Sequence, residues 1–334
     1  MPVMSRVLVW ILIIPVVFFI GLQFGSIHTN GTDIWKALFN FSSSDTTSYV
    51  IVNLRIPRIL AAFLTGGALA LSGYLLQSLV NNPLADPYIL GTASGASLGV
   101  NISFLGVIPW LAESVFSTSI AAFVGALGVT LLAVFVAYDK GSINPSRLLL
   151  AGVALSSLMV AITSFLIFVF SSDNKLKKVI FWSMGSIDAA AWNKIPLLAI
   201  TLFVLGIIAV LLRPQLSILM LGAPRAQNLG VNVVKLRWLI LIFSALLTGM
   251  AVAVSGPIGF IGLIVPHFVR ALFGVHGKYN ITDTILTGGI FLTVCDTSSK
   301  WLFPDIALPI GIITSFLGIP FFVYLLTKRN FRFN

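Results

Sequence analysis

The chain has 334 residues, 58% of them hydrophobic and only 9% charged, with a mean hydropathy of +1.04 and a formal net charge of +10. Soluble domains carry about 25% charged residues, so this balance excludes an ordinary water-soluble globule and selects a polytopic membrane protein. The positive charge does not point to nucleic acid: no basic–aromatic patch or zinc-ligand spacing accompanies it, and membrane proteins hold Lys and Arg in cytoplasmic loops.

Apolar runs of about twenty residues fit helices that cross a bilayer, whereas barrel strands would alternate with a period of two over shorter segments. The first runs from Val7 to Phe24 behind Arg6. No A-x-A-like cleavage site follows, so it reads as an uncleaved span with the N-terminus inside. A Ser- and Thr-rich polar segment follows, from Gly25 to Ile56. Further apolar runs lie near 58–80, 89–109, 115–137, 148–170, 195–212, 238–255, 257–273, 281–297 and 306–327. The expected fold is therefore all-α, with about ten transmembrane helices in a single domain over 1–334.

A long polar interruption runs from Arg213 to Trp238, with four basic residues (Arg213, Arg225, Lys235, Arg237) and no acid. Its Leu, Ala and Val positions allow short amphipathic helices but not a span. Residues 213–237 are thus expected to form a cytoplasmic segment that a soluble partner grips.

With both termini inside, Arg6, Lys140, Arg147, Arg213, Arg225, Lys235, Arg237, Arg270, Lys278, Lys328, Arg329 and Arg332 fall on the cytoplasmic side. Lys36, Arg55, Arg58, Lys175, Lys177, Lys178, Lys194 and Lys300 fall outside. Twelve against eight is the bias that the positive-inside rule requires. Most of the acids, Glu113 among them, fall at the outer ends.

Ala61–Gly73 reads AAFLTGGALALSG and Ser244–Gly256 reads SALLTGMAVAVSG, eight identities in thirteen at an offset of 183. Pro83 and Pro266 keep that offset. The copies begin spans 2 and 7, so they run in opposite directions. An inverted repeat of spans 2–5 and 7–10 is the plan of many transporters.

Two stretches interrupt the helices. Asn81-Asn82-Pro83-Leu84-Ala85-Asp86-Pro87 joins spans 2 and 3, and Ser255-Gly256-Pro257-Ile258-Gly259-Phe260-Ile261-Gly262 joins spans 7 and 8. Pro83, Pro87, Gly256, Pro257, Gly259 and Pro266 are the candidates for a broken helix lining a pathway. Gly256-Pro257 reads equally well as a tight external turn. At the outer surface Arg55, Arg58 and Lys300 either dock carboxylates of a soluble partner or anchor the spans by snorkelling.

Catalytic signals are missing from the sequence. There is no G-x-x-x-x-G-K-[ST] phosphate loop and no H-E-x-x-H, and His28, His267 and His276 lack metal-ligand spacing. Cys295 is the single cysteine, which rules out an intramolecular disulfide framework. An ion-coupled carrier working alone is the competing class. It needs ionisable groups near the bilayer midplane, and Asp86 and Asp296, the acids closest to apolar runs, are placed near the ends.

The same stretches resemble the membrane permeases of type II ABC importers for iron-siderophores, haem and cobalamin, the FecCD family. The resemblance runs through Arg55-Ile-Pro-Arg58, Asn82-Pro-Leu-Ala-Asp-Pro87, Trp182-Ser-Met-Gly-Ser186 and Leu221-Gly222…Ala226…Leu229-Gly230. It continues through Gly256-Pro-Ile-Gly-Phe-Ile-Gly-Leu-Ile-Val-Pro-His267 and Leu308-Pro-Ile-Gly311…Gly318-Ile-Pro-Phe-Phe322. It implies two permease subunits (a homodimer) in the bacterial or archaeal cytoplasmic membrane, with two ATPase subunits below and a substrate-binding protein above. ATP and Mg would sit on the ATPase, this chain holding no cofactor and no catalytic residue. Leu221, Gly222, Arg225, Ala226, Leu229 and Gly230 would form the ATPase-coupling surface, and Arg55, Arg58 and Lys300 would face the binding protein. Lys300 stands where the family often has Arg. Ala223-Pro224 and Ala307 stand near positions where it often has an acid. An iron-siderophore is the expected cargo, with haem or cobalamin as alternatives.

Overall fold

The computed structural model describes residues 3–25, 27, 29–41, 44–108, 115–139, 142–170, 172–274 and 277–327. Glu113, His28, His276, Lys140, Lys328, Arg329 and Arg332, which entered the sequence reading, lie outside them. In chain order the first half contains α1 (Val3–Gln23), α2 (Gly31–Phe39), α3 (Thr46–Val50), α4 (Ile56–Val80), α5 (Thr92–Leu105), α6 (Val115–Ala137), the hairpin β1 (Tyr138–Asp139) and β2 (Ser142–Ile143), and α7 (Pro145–Phe170). The second half contains α8 (Asp173–Ser183), α9 (Ile195–Leu211), α10 (Arg213–Leu219), α11 (Ala223–Asn228), α12 (Val233–Ser255), α13 (Ile261–Phe273), α14 (Asn280–Leu302) and α15 (Ile310–Thr327). Each of the ten apolar runs coincides with a helix, so the fold is an all-α polytopic membrane protein.

By length and composition five of these helices suffice to cross a bilayer, or six when α9 and α10, bent by 65°, count as one. The others deviate for physical reasons. Helix α14 carries Asp283, Asp296 and Lys300. Helices α5 and α13 have 14 and 13 residues, about 20 Å at 1.5 Å per residue and short of a 30 Å hydrocarbon layer. They are half-spans that follow the two helix breaks.

Helix α4 is the hub. A Cβ on Gly66 would lie 2.2 Å from the Gly288 carbonyl oxygen of α14, and one on Gly73 would lie 1.9 Å from that of Gly262 in α13. With side chains at these positions the backbones could not touch, and close backbone contact is what holds helices together in lipid. The two repeat copies meet directly: Ser72 Oγ lies 2.6 Å from Ser244 Oγ and 2.7 Å from Thr248 Oγ1, all three buried.

The breaks also meet. Tyr88, in a short 3₁₀ turn (Pro87–Leu90), accepts at its hydroxyl the N–H of Ile258, 2.9 Å away. The buried Gln77 amide donates to the carbonyls of Ala85 and Gly262, at 3.3 and 3.1 Å, and to that of Leu263. Residues 256–260 therefore descend from the end of α12 into the protein and bring Gly262, at the start of α13, against Gly73 of α4. This corrects the external-turn reading of Gly256-Pro257. Non-helical backbone persists here because side chains and close packing satisfy it. Gly256 starts the descent at φ +67, a conformation that suits glycine.

The polar segment 25–56 is more ordered than its composition suggests. Asp33 accepts the Asn30 N–H at 3.0 Å at the start of α2, and Asp45 accepts from Thr47 N and Ser48 N at 3.2 and 3.1 Å at the start of α3. A π-helical turn, Ile51–Arg55, then leads into α4.

Candidate functional site

Three regions carry the sequence-predicted site residues: the outer rim, a cavity beside the second break, and the cytoplasmic tip. At the rim Arg58, in the first turn of α4, makes a bidentate contact with Asp296 of α14, Nε and Nη2 each 2.7 Å from a carboxylate oxygen. Its remaining nitrogen, Nη1, donates to Asp188 in the loop after α8. Lys300 Nζ also reaches Asp188, at 3.3 Å. The Ser186 hydroxyl donates to the other Asp188 oxygen at 2.8 Å. Burial tends to raise the Asp188 pKa, but the Arg58 charge, the Ser186 hydroxyl and Lys300 outweigh it and hold the carboxyl below its ordinary value.

Arg55 lines the same outer recess as Arg58, Asp188 and Lys300, but its guanidinium turns inward. It is only 7% exposed, and its guanidinium donates to the carbonyls of Leu22 and Ile27 and to Thr29 Oγ1. It ties the chain leaving α1 onto the start of α4. The sequence Arg-Ile-Pro-Arg gave no signal as to which arginine turns inward. Ser186 entered the sequence reading only as the end of a resemblance motif and Asp188 only as one of the outer acids; neither was assigned to the rim.

Below the rim lies a cavity of about 600 Å³ lined by Met184, Pro257, Gly259, Gly311, Ser315 and Phe316 among others. Of the pathway candidates, Pro257 and Gly259 reach it. Pro83, Pro87, Gly256 and Pro266 are buried in the packing that shapes the two breaks. The loop after α8 closes over this region. Ser186 N donates to Ser255 O at 2.7 Å, and Gly311 N donates to Gly185 O at 3.5 Å.

At the opposite end, α9 turns by 65° into α10, with Pro214 in the first turn of α10, where its missing N–H costs nothing. Leu216, Leu219 and Met220 are buried and pin α10 to the bundle. Gly222, at φ +99, reverses the chain into α11, which begins at Ala223-Pro224. Ala226 is fully buried as the foot of α11, while Leu221 and Leu229 are 45% and 60% exposed. Arg225, Gln227, Asn228 and Gly230 are exposed beside them, and nothing occupies the space next to Gly222 and Gly230. Asn232 then caps α12 by accepting the Lys235 N–H at 3.0 Å. Arg237 braces the tip through a 2.8 Å bond to the Ile143 carbonyl of the hairpin.

Helix α12 joins these regions. It starts next to the exposed leucines and ends at Ser255, whose carbonyl holds the outer loop, before the break that lines the cavity. The sequence matches the FecCD transport family over residues 11–328. The chain belongs to the FecCD family. It is 37% identical over 313 residues to the hemin transport system permease protein HmuU of Yersinia pestis, covering 92% of both chains. It is 35% identical to the Fe(3+)-citrate import system permease protein YfmD of Bacillus subtilis, covering 98% of this chain and 97% of the relative. With the cobalamin import system permease protein BtuC of Halobacterium salinarum it shares 36% identity, over 90% of this chain and 79% of the relative. A solved structure described as an inward-facing conformation of a metal-chelate type ABC transporter superposes with a TM-score of 0.84 at 29% identity, covering 96% and 98% of the two chains. The FecCD chain is thus a multi-pass ABC importer permease, of a kind that works with separate ATPase and substrate-binding subunits.

Proposed function

We propose that this permease carries a ferric siderophore complex across the cytoplasmic membrane of a bacterium or archaeon, as one half of a homodimer with all termini cytoplasmic. The observation that carries the cargo is the end-to-end match to an iron-chelate permease, the Fe(3+)-citrate relative. Haem is the second reading, favoured by the 37% identity to the hemin permease.

The cytoplasmic tip supports a coupling role for Leu221, Gly222, Arg225, Ala226, Leu229 and Gly230. Exposed leucines on a braced protrusion fit an apolar cleft of a soluble partner, and buried Ala226 lets α11 sit flush on the bundle. Mg and ATP belong to that partner, and its closure pushes the tip. Helix α12 is a rigid rod from the tip to the cavity, so the push reaches residues 256–260. Movement of that segment against α15 switches the cavity between the two sides of the membrane. At the rim, Arg58 and Lys300 face acidic residues of the binding protein, with Arg55 holding the surface in shape. Membrane lipid covers the apolar outer faces.

Co-purification from native membranes after mild solubilisation, followed by an ATPase assay, tests this reading. The expected result is a complex with a P-loop ATPase, stimulated by a binding protein loaded with ferric siderophore. A lone protein that moves substrate down an ion gradient would contradict it.

A further inference from the structure

The loop after α8 is fastened at five places. Asp188 bonds to Arg58 of α4 and to Lys300 of α14, Ser186 N bonds to the tip of α12, and Gly185 O bonds to the start of α15. The loop's far end is held by Trp192 Nε1, which donates to the Val52 carbonyl at 3.0 Å. Two of the five fastenings run through one carboxylate, and that carboxylate is only partly covered. The Asp188 side chain is 33% exposed, against 5% for Asp296. Arg58 therefore has one permanent partner, Asp296, held in a bidentate grip, and one accessible partner. A charge-assisted bond on a wet rim is exchangeable, because an incoming carboxylate regains what the outgoing one loses.

We propose that Asp188 is a placeholder carboxylate, displaced from Arg58 and Lys300 when an acidic side chain of a docking protein takes its position. The idea rests on the docking role proposed above for this rim and adds its consequence. Displacement leaves Ser186 and Gly185 to tie the loop to α12 and α15, and Trp192 to hold its far end. The loop roofs the cavity lined by Met184, Pro257 and Gly311, so docking loosens the roof above that cavity. It also loosens the outer end of α12, whose other end carries the cytoplasmic tip. Arrival of the binding protein is thereby felt at both the cavity and the tip without any change of charge inside the membrane.

The test uses the full chain in lipid nanodiscs, with Cys295→Ser and a spin label on Ala189→Cys, which is exposed in the loop. Fluorescein-labelled hexaglutamate serves as the acidic probe. Asp188→Asn keeps the shape of the side chain and removes its charge. It is expected to mobilise the label without any ligand and to tighten hexaglutamate binding about tenfold, the scale of one charge-assisted bond. Ser186→Ala, which leaves both ion pairs in place, gives a smaller mobilisation in the same direction. Arg58→Gln with Lys300→Gln mobilises the label but abolishes binding. A label that stays immobile in Asp188→Asn, or hexaglutamate binding that weakens in it, overturns the placeholder alone. Hexaglutamate binding that survives Arg58→Gln with Lys300→Gln overturns the docking role of the rim, and the placeholder with it.

Discussion

At the outer rim Arg58, Lys300, Asp188 and Asp296 are paired with one another, whereas at the cytoplasmic tip Leu221 and Leu229 lie open to solvent. The two ends of the same molecule use opposite chemistry. Charges at the rim give orientation and a fast, salt-sensitive encounter, but each must be shared with a neighbour already in place. Apolar groups at the tip give a grip that salt does not weaken, and the helices behind them are braced so that a push is transmitted and not absorbed. A partner that comes and goes suits the first surface, and one that stays through every cycle suits the second.

The largest effect should come from breaking the apolar end. Leu229→Asp is expected to reduce ATPase association and uptake about 30-fold or more, the scale of a lost interface hot spot, while the protein still inserts. Gly230→Trp should act alike, because φ +81 strains any side chain even though the space beside it is open. Co-purified ATPase and uptake at matched expression measure both. Normal uptake would remove the coupling role from this tip.

Next comes the rim. Arg58→Glu should weaken binding-protein affinity about tenfold at low salt and less at high salt, as screening shortens the reach of charge. Titration at two ionic strengths reads this. An affinity loss that ignores salt would mean that the rim acts through packing.

Arg55→Gln separates rim from support. It removes buried bonds to Leu22, Ile27 and Thr29 at a cost of about 1–3 kcal/mol, so hydrogen exchange over residues 22–29 should speed up. Docking should change less than about twofold, within the range of a lost surface contact. A docking loss equal to that of Arg58→Glu would return Arg55 to the rim.

The smallest effect concerns pH. The Asp188 pKa is lowered in the folded protein, so its ion pairs are fully formed above the unfolded value of about 4 and are lost as pH falls through the folded one. The label at Ala189→Cys should therefore not change between pH 8 and 5 and should mobilise only below about pH 4. Mobilisation between pH 6 and 7 would point to a different titrating group.

The sequence disclosed the helices because each apolar run is a local property of about twenty residues. It disclosed the repeat for the same reason, and the Ser72–Ser244–Thr248 contact places the copies face to face. What stayed hidden was long-range. Arg58 meets Asp188 across 130 positions of sequence, and Tyr88 meets Ile258 across 170. Neither contact leaves a local pattern. Helices α2 and α3 were hidden differently: they are short, nine and five residues inside a Ser- and Thr-rich stretch, and Asp33 and Asp45 at their starts are capping signals that are easily read as loop chemistry. The inward turn of Arg55 depends on carbonyls left by the end of α1, which no motif records.

One measurement addresses the two-ended design directly: ATPase activity of the assembled complex in proteoliposomes, with and without binding protein, for wild type, Arg58→Glu and Leu229→Asp. Arg58→Glu should keep its basal activity and lose the stimulation by binding protein at low salt. Leu229→Asp should lose the ATPase subunits and with them both basal and stimulated activity. If the two variants fail in the same way, the rim and the tip are not separate surfaces with separate chemistry, and the account is contradicted.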